Sequence, residues 1–298
     1  MKISAIIVTY NRKELLEKCF NAVSSQSVDL NRIYIIDNCS NDGTDQLVKK
    51  LTNKRDNVEY IKLDSNTGGA GGFYHGMKVA FTDNDIDGFW VMDDDGIPDK
   101  CCLENMLKYL NEYAFISPIV LNKDNPSEMS FGTLKVHDYN NIKETYPRGV
   151  IVGHANPFNG VLFRRDLVKE IGFPMKDMFI WGDENEYEAR AIASGYIPVT
   201  VINAIHYHPK DRLVLYPDFL GKNCIVYVES KLKRYCKYRN FAYVLKTYKS
   251  WYNVALFIFR YSFYFVISRK FDVRGLLFFY GAVIDGIKNN FTKHKKYL

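Results

Sequence analysis

The sequence predicts an α/β fold built on a sheet with helices on both faces, and three observations lead there. Strand and helix patterns alternate through roughly the first hundred residues. The strand segments are continuous apolar runs, and each ends in polar residues. Continuous runs mark strands buried on both faces, as in a parallel sheet covered by its own connecting helices.

Taken in order, ISAIIVTY is a short β-branched run that reads as the first strand. After it Leu15, Leu16, Cys19, Phe20 and Val23 recur at helical spacing. RIYIIDN is a second strand closed by the turn-rich CSNDGT, and Leu47, Val48 and Leu51 mark the next helix. The strand VEYIKL, the loop DSNTGGAGG, a helix to about Phe81 and the strand GFWVM follow. Farther on, AFISPIVL and NPFNGVLFRR read as strands, and DENEYEARAIASG as a helix closed by Gly195. YIPVTVINAIHYHPK reads as a last strand running into a histidine-containing loop. From about Pro217 the composition turns to aromatic, basic helices, so the expected division is an α/β domain over 1–216 and a helical region over 217–298.

Length and composition fit this plan. A chain of 298 residues, 47% hydrophobic and 25% charged, holds one large α/β domain plus a smaller appendage. The net charge of +6 is modest, so its placement matters more than its size. Six cysteines without a CxxC pair read as reduced thiols of a cytosolic protein. MKISAIIVTYNR enters a strand pattern at once, which is not a signal peptide. VALFIFRYSFYFVI falls short of the roughly 18–20 residues of a spanning helix and is interrupted by Arg260.

Ligands of such sheets bind beyond the carboxyl ends of the strands. Here those ends carry Thr9-Tyr10-Asn11, Asp37-Asn38, the segment Asp64 to Gly72, and Asp93-Asp94-Asp95. Three adjacent carboxylates raise one another's pKa unless a positive charge sits among them. They form either a solvated turn or a site for a hard divalent cation, and four polar strand ends in succession favour the second. NTGGAGG has neither a Walker lysine nor G-x-G-x-x-G. Its Asn66, Gly68 and Gly69 suit the floor of a nucleotide or sugar pocket, because glycine lets backbone approach a ligand, or else a flexible loop.

In order and spacing, IIVTYNR, IIDNCSNDGT, NTGGAGGF, WVMDDDG, FIWGDENEYEARA and a late histidine resemble the inverting family 2 glycosyltransferases. The resemblance covers roughly residues 3–210, and within that family the galactofuranosyltransferase and rhamnosyltransferase branches are most alike. It implies a GT-A fold, a Rossmann-like mixed sheet with a C-terminal helical appendage. It also implies a nucleotide-sugar donor (a UDP-sugar, or alternatively a dTDP-sugar) and a Mn2+ or Mg2+ ion. By resemblance Asp93 lies near the ribose and metal, Asp94 near the donor sugar, and Asp95 is the direct metal ligand. Asp37 matches a uracil-binding acid, and Thr9, Tyr10 and Arg12 match the nucleotide pocket, although Arg12 is equally a first-turn helix residue.

An inverting transfer needs one general base for the acceptor hydroxyl. The family's acidic motif falls on Asp183, Glu184 and Glu186. Glu184 stands where the family usually has Asp, which leaves Asp183 as the alternative base. An acidic helix N-terminus favoured by the dipole, with Glu186 paired to Arg190, is the structural reading of the same residues. Trp181 resembles an acceptor-stacking aromatic, or else is a core residue, the commoner fate of a Trp, and Glu186 goes with it on the acceptor side. His206 or His208 resembles a further metal ligand, with His208 favoured by counting.

The tail interleaves Lys and Arg with Tyr, Phe and Trp, and YRN and RGLLFFYGAVIDGI resemble tail helices of polysaccharide-assembling members whose acceptors are lipid-linked. No nucleic-acid recognition motif is present. An anionic membrane surface at the inner face of the cell membrane, or a homo-oligomer contact, is the expected partner of this tail. The implied activity is metal-dependent transfer of galactofuranose from UDP-galactofuranose to a lipid-linked glycan. Rhamnosyl transfer from dTDP-rhamnose is the nearest alternative, and a catalytically inactive glycan- or membrane-binding module is the rival from another class. A sugar nucleotidyltransferase is disfavoured by the absence of a Gly-rich, basic phosphate loop on the first strand.

Overall fold

A computed structural model describes residues 1–53, 55–131, 138–156, 158–210 and 214–298; the side chains of Asn223 and Cys224 lie outside the description. The chain forms two compact units, one of residues 1–176 with 190–211 and the other of 177–189 with 212–298.

The first unit holds β1 (Ile3–Thr9), α1 (Lys13–Ser24), β2 (Arg32–Asp37), α2 (Thr44–Thr52), β3 (Val58–Lys62), α3 (Gly68–Ala80) and β4 (Gly88–Asp93). After these come β5 (Ile97–Pro98), α4 (Cys102–Leu107), β6 (Phe115–Asn122), β7 (Asn125–Met129), α5 (Tyr139–Thr145), β8 (Val150–Val152), β9 (Asn159–Arg164) and α6 (Arg165–Ile171). The helix α7 (Asp183–Ala193), whose residues up to Ala189 belong to the second unit, precedes β10 (Val199–His208). The sheet order is β3-β2-β1-β4-β9-β6-β10-β5, with β7 on β6 and β8 on β10.

All seven residues of β1 are buried because both faces are covered. Ile3, Ala5 and Ile7 join Leu16, Cys19, Phe20 and Val23 of α1 in one cluster. Ile6 and Val8 turn to the other face, under α3.

The glycine-rich segment departs from its reading as a loop. Gly68 to Gly72 are the first residues of α3, not a connection. Gly72 and Gly76 lie one turn apart on the face toward the sheet, where a side chain would collide with Val8 and with Ile6 and Ile36. These glycines set the helix-to-sheet distance. Gly76→Leu gains about 1 kcal/mol of helix propensity, but overpacking a tight core typically costs about 1–3 kcal/mol for far smaller additions. Urea unfolding should therefore show a net loss of stability.

The sheet is mixed. β1, β2, β3 and β4 run parallel, as the first hundred residues predict, while β9 is antiparallel to both β4 and β6. Two antiparallel steps cancel, and β10 is parallel to β6. The carboxyl end of β10, with His206 and His208, therefore lies at the same edge as the carboxyl end of β4. The short β5, just past the three aspartates, pairs with His206 and Tyr207 and ties the two ends together.

The second unit contains a hairpin of β11 (Val214–Pro217) and β12 (Asn223–Tyr227), then α8 (Lys231–Val244), α9 (Trp251–Phe263) and α10 (Val273–Ile287). The helices thus begin at Lys231 rather than near Pro217. Ser230, Ser250 and Asp272 cap them, each side chain accepting from a backbone N–H three residues on. Their core is aromatic, built from Tyr235, Tyr238, Tyr261, Tyr264, Phe265 and Phe279. Cys19, Cys39, Cys101, Cys102 and Cys236 are free thiols, and the same expectation for Cys224 lies outside the described residues.

Candidate active site

Parallel register sets the strand ends of the first unit side by side: Thr9 pairs with Asp37 across β1 and β2, and Val8 pairs with Asp93 across β1 and β4. Thr9 Oγ1 donates to Asp94 Oδ2 at 2.6 Å. Arg12, the residue before α1, reaches Asp95 Oδ2 at 2.9 Å and Asp94 Oδ1 at 3.3 Å. The positive charge that three neighbouring carboxylates require is therefore Arg12. Burial pushes Asp94 up to about 6, against the opposing pull of Thr9 and Arg12. Burial also acts to raise Asp95, but His208 and Arg12 outweigh it and hold that carboxyl below its ordinary value.

His208 Nε2 lies 3.2 Å from Asp95 Oδ1, a buried oxygen that accepts no well-formed hydrogen bond. Both histidines are strand residues of β10. His206 is fully buried against Gly96 and Gly160, with neither ring nitrogen hydrogen-bonded. Burial, reinforced by His208, pulls it down to about 3, so it is neutral at physiological pH. Among the described residues no three His, Cys, Asp or Glu side chains form a ready-made cluster for a metal ion. Asp95 nevertheless offers a carboxylate with the His208 imidazole beside it, and Mg2+ commonly takes one or two carboxylates and completes its shell with water and substrate phosphates. A cavity of about 310 Å³ opens beside Asp94 and Asp95, with Lys18 and Lys123 in its lining.

Asp37 is fully buried, accepting from Ser40 N at 2.7 Å and from the Tyr60 hydroxyl at 2.6 Å. Asn66 Oδ1 accepts from Gly68 N at 2.8 Å. Asn38 grips the same turn, accepting from the Thr67 hydroxyl and donating to the Gly68 carbonyl. Gly69 is only partly buried, and a side chain there would meet little but the edge of Phe73. Tyr10 is exposed at the end of β1.

In the second unit the acidic residues Asp183, Glu184 and Glu186 occupy the first turn of α7, where the helix dipole favours negative charge. Asp183 and Glu186 are buried and Glu184 is partly exposed. Glu184 Oε2 accepts the Gly182 amide at 3.2 Å, and Glu186 accepts the Tyr248 hydroxyl at 2.7 Å. Trp181 is half-buried, with Lys237 Nζ 5.5 Å from its ring centre. Sequence reading placed Asn38 only among the polar strand ends and missed Ser40 and Tyr60, which hold Asp37, and Tyr248, which holds Glu186. Tyr60 in VEYIKL carries no signal beyond an ordinary strand tyrosine.

The chain as a whole has relatives. The family model described as "Glycosyl transferase family 2" matches residues 4–172. The chain is 31% identical over 284 residues to the galactofuranosyltransferase GlfT1 of Mycolicibacterium smegmatis, covering 92% of each chain. It is 30% identical to GlfT1 of Mycobacterium tuberculosis over 92% of this chain and 91% of that one. Among solved structures, S. aureus TarS 1-349 in complex with UDP-GlcNAc superimposes with a TM-score of 0.60 at 18% identity, over 97% of this chain and 81% of that one. The Pyrobaculum calidifontis mannosyltransferase PcManGT, in complex with GDP-Man and Mn2+, gives 0.58 at 15% identity over 82% and 63%. The mixed sheet with its polar strand ends is a GT-A fold, and the chain belongs to glycosyl transferase family 2, in the branch that resembles the galactofuranosyltransferases.

Proposed function

We propose that this glycosyltransferase is metal-dependent and inverting, and that it moves galactofuranose from UDP-galactofuranose to a growing, lipid-linked cell-surface polysaccharide. The observation that carries the reading is Asp95, with a buried oxygen free of good hydrogen bonds, facing His208 at the carboxyl edge of the sheet. Similarity to galactofuranosyltransferases over nearly the whole chain supports the donor.

Asp95 and His208 would hold a Mn2+ or Mg2+ ion, with Asp93 beside them, and the bound ion would neutralise charge on the departing diphosphate. Arg12 and Thr9 fix the aspartates in place. Asp37, held by Ser40 and Tyr60, would present the base pocket together with Tyr10, and Asn66, Gly68 and Gly69 would line the nucleotide. Asp94 would contact the donor sugar. Glu184, the accessible acid of its motif, would take the proton from the acceptor hydroxyl, with Asp183 as the alternative base and Trp181 and Glu186 on the acceptor side. Nucleotide release from UDP-galactofuranose, dTDP-rhamnose and UDP-GlcNAc, with and without divalent cation, tests the assignment. Metal-dependent release from the first is expected. Preference for dTDP-rhamnose would move the enzyme to the rhamnosyl branch, and release from none would leave a binding module.

Residues 1–216 are assigned to catalysis and 217–298 to attachment at the cytoplasmic face of the membrane. Among the described residues no helix is long and apolar enough to cross a membrane. Trp251, Tyr252, Phe259, Phe271 and Leu277 are each more than half exposed, and Lys249, Arg269, Lys270 and Arg274 are exposed near them in sequence. Aromatic anchors with basic flanks suit an anionic interface, where each cation contributes about 1 kcal/mol. The full-length protein should co-sediment with anionic vesicles, progressively less as salt rises. Trp251→Ser with Phe271→Ser and Leu277→Ser should release it. Wild-type protein that stays in the supernatant at low salt would leave the surface to contacts between copies of the chain.

A further inference from the structure

The segment leading into the acidic motif has an unusual backbone. Phe179, Trp181 and Gly182 all have positive φ, at 67°, 62° and 104°. Two of the three are bulky aromatics for which that conformation is strained, so the surroundings must impose it. The irregular path leaves the Ile180 and Trp181 carbonyls without a helix or strand ladder to join, and such groups need donors from elsewhere, whereas the Met178 carbonyl already accepts from Ile180 N at 2.8 Å.

Helix α8 supplies the donors through the RN of YRN. Asn240 Nδ2 lies 2.7 Å from the Trp181 carbonyl, 3.1 Å from that of Met178 and 3.2 Å from that of Ile180. Its Oδ1 accepts from Arg239 Nε at 2.9 Å, and Arg239 Nη2 donates to the Met178 carbonyl at 2.7 Å. The far side of the guanidinium reaches the Phe291 carbonyl at 3.2 Å and His294 Nδ1 at 3.2 Å. Arg239 and Asn240 are both fully buried.

The peptide between Trp181 and Gly182 links this clamp to the acids. Its oxygen is held by Asn240, and its N–H donates to Glu184 Oε2 at 3.2 Å. The Gly182 carbonyl in turn accepts from Glu186 N at 2.9 Å. Gly182 also sits close under Asn240, since a Cβ there would come within 3.0 Å of the asparagine Cβ. One side chain thus fixes the plane of the peptide whose amide orients the glutamate.

We propose that Asn240, backed by Arg239, is a positioning residue for Glu184: it locks the 181–182 peptide and thereby sets the direction of the carboxylate. The role of Glu184 rests on the glycosyl-transfer reading above, whereas the clamp itself does not.

The test is Asn240→Ala in the full chain, with two readouts. Hydrogen exchange should quicken over 178–186 while the strands of the sheet keep their protection. Turnover with UDP-galactofuranose should fall on the order of a hundredfold, the scale of a misplaced catalytic group, with the donor KM near the wild-type value. If the variant does not fold, Asn240→Ser, which keeps one donor, is measured in the same way. Unchanged exchange over 178–186, unchanged turnover, or a parallel loss of turnover and donor affinity would overturn the proposal. If the wild type transfers no sugar while 178–186 still loosens in the variant, the glycosyl-transfer reading fails and the clamp does not.

Discussion

Asp95→Ala should abolish metal-dependent sugar transfer while leaving the sheet folded. The carboxylate stands past the end of β4, where it contributes little packing and its contacts are Arg12 and His208. Removing it leaves Arg12 its second partner, Asp94, so the melting temperature should move little. Partners that merely orient metal ligands cost about 10–100-fold when lost, and a direct ligand should cost at least that much. Divalent-cation titration of wild type and variant in the presence of UDP provides the check. A variant with full activity, or a wild type indifferent to chelator, would remove the metal from this site.

Glu184→Gln should lower turnover by about a hundredfold to ten-thousandfold, the range for a lost general base, with nucleotide affinity near normal. Glutamine keeps the shape and can still accept from the Gly182 amide, so the loop before α7 should hold. Single-turnover rates and nucleotide binding measured side by side separate the two effects. Should Asp183→Asn show that pattern while Glu184→Gln stays active, the base is the buried residue one position earlier.

Much of the fold was legible because its signals were local and strong. β1, β2 and β4 are covered on both faces, so they read as continuous apolar runs, and α1 buries Leu16, Cys19, Phe20 and Val23 along one stripe. The glycine-rich segment misled for a physical reason. Glycine usually marks turns, but Gly72 and Gly76 are in α3 because a helix packed that tightly on β1 and β2 has no room for side chains. The hairpin of β11 and β12 was hidden because its apolar and aromatic run, VLYPDFLGKNCIVY, lacks the strict alternation of a half-buried strand pair and leads directly into the aromatic helices. Antiparallel β9, set between β4 and β6, depends on long-range pairing that no local pattern encodes.

At the site the strand-end acids were legible and their supports were not. Arg12 reads in the sequence as a nucleotide-pocket residue or equally as a first-turn helix residue, and only the structure shows it as the cation that lets Asp94 and Asp95 coexist. Tyr60 on Asp37, Tyr248 on Glu186 and Asn240 on the Trp181 carbonyl are contacts between residues distant in sequence. A spacing argument has no access to them.

The most direct measurement is the proton spectrum of the product formed from UDP-galactofuranose, a glycan acceptor and Mn2+. Metal-dependent, inverting transfer should release UDP and form a new galactofuranosyl linkage whose anomeric configuration is opposite to that of the donor, with neither appearing in chelator. A linkage that retains the donor configuration, or one formed equally well without metal, would contradict it.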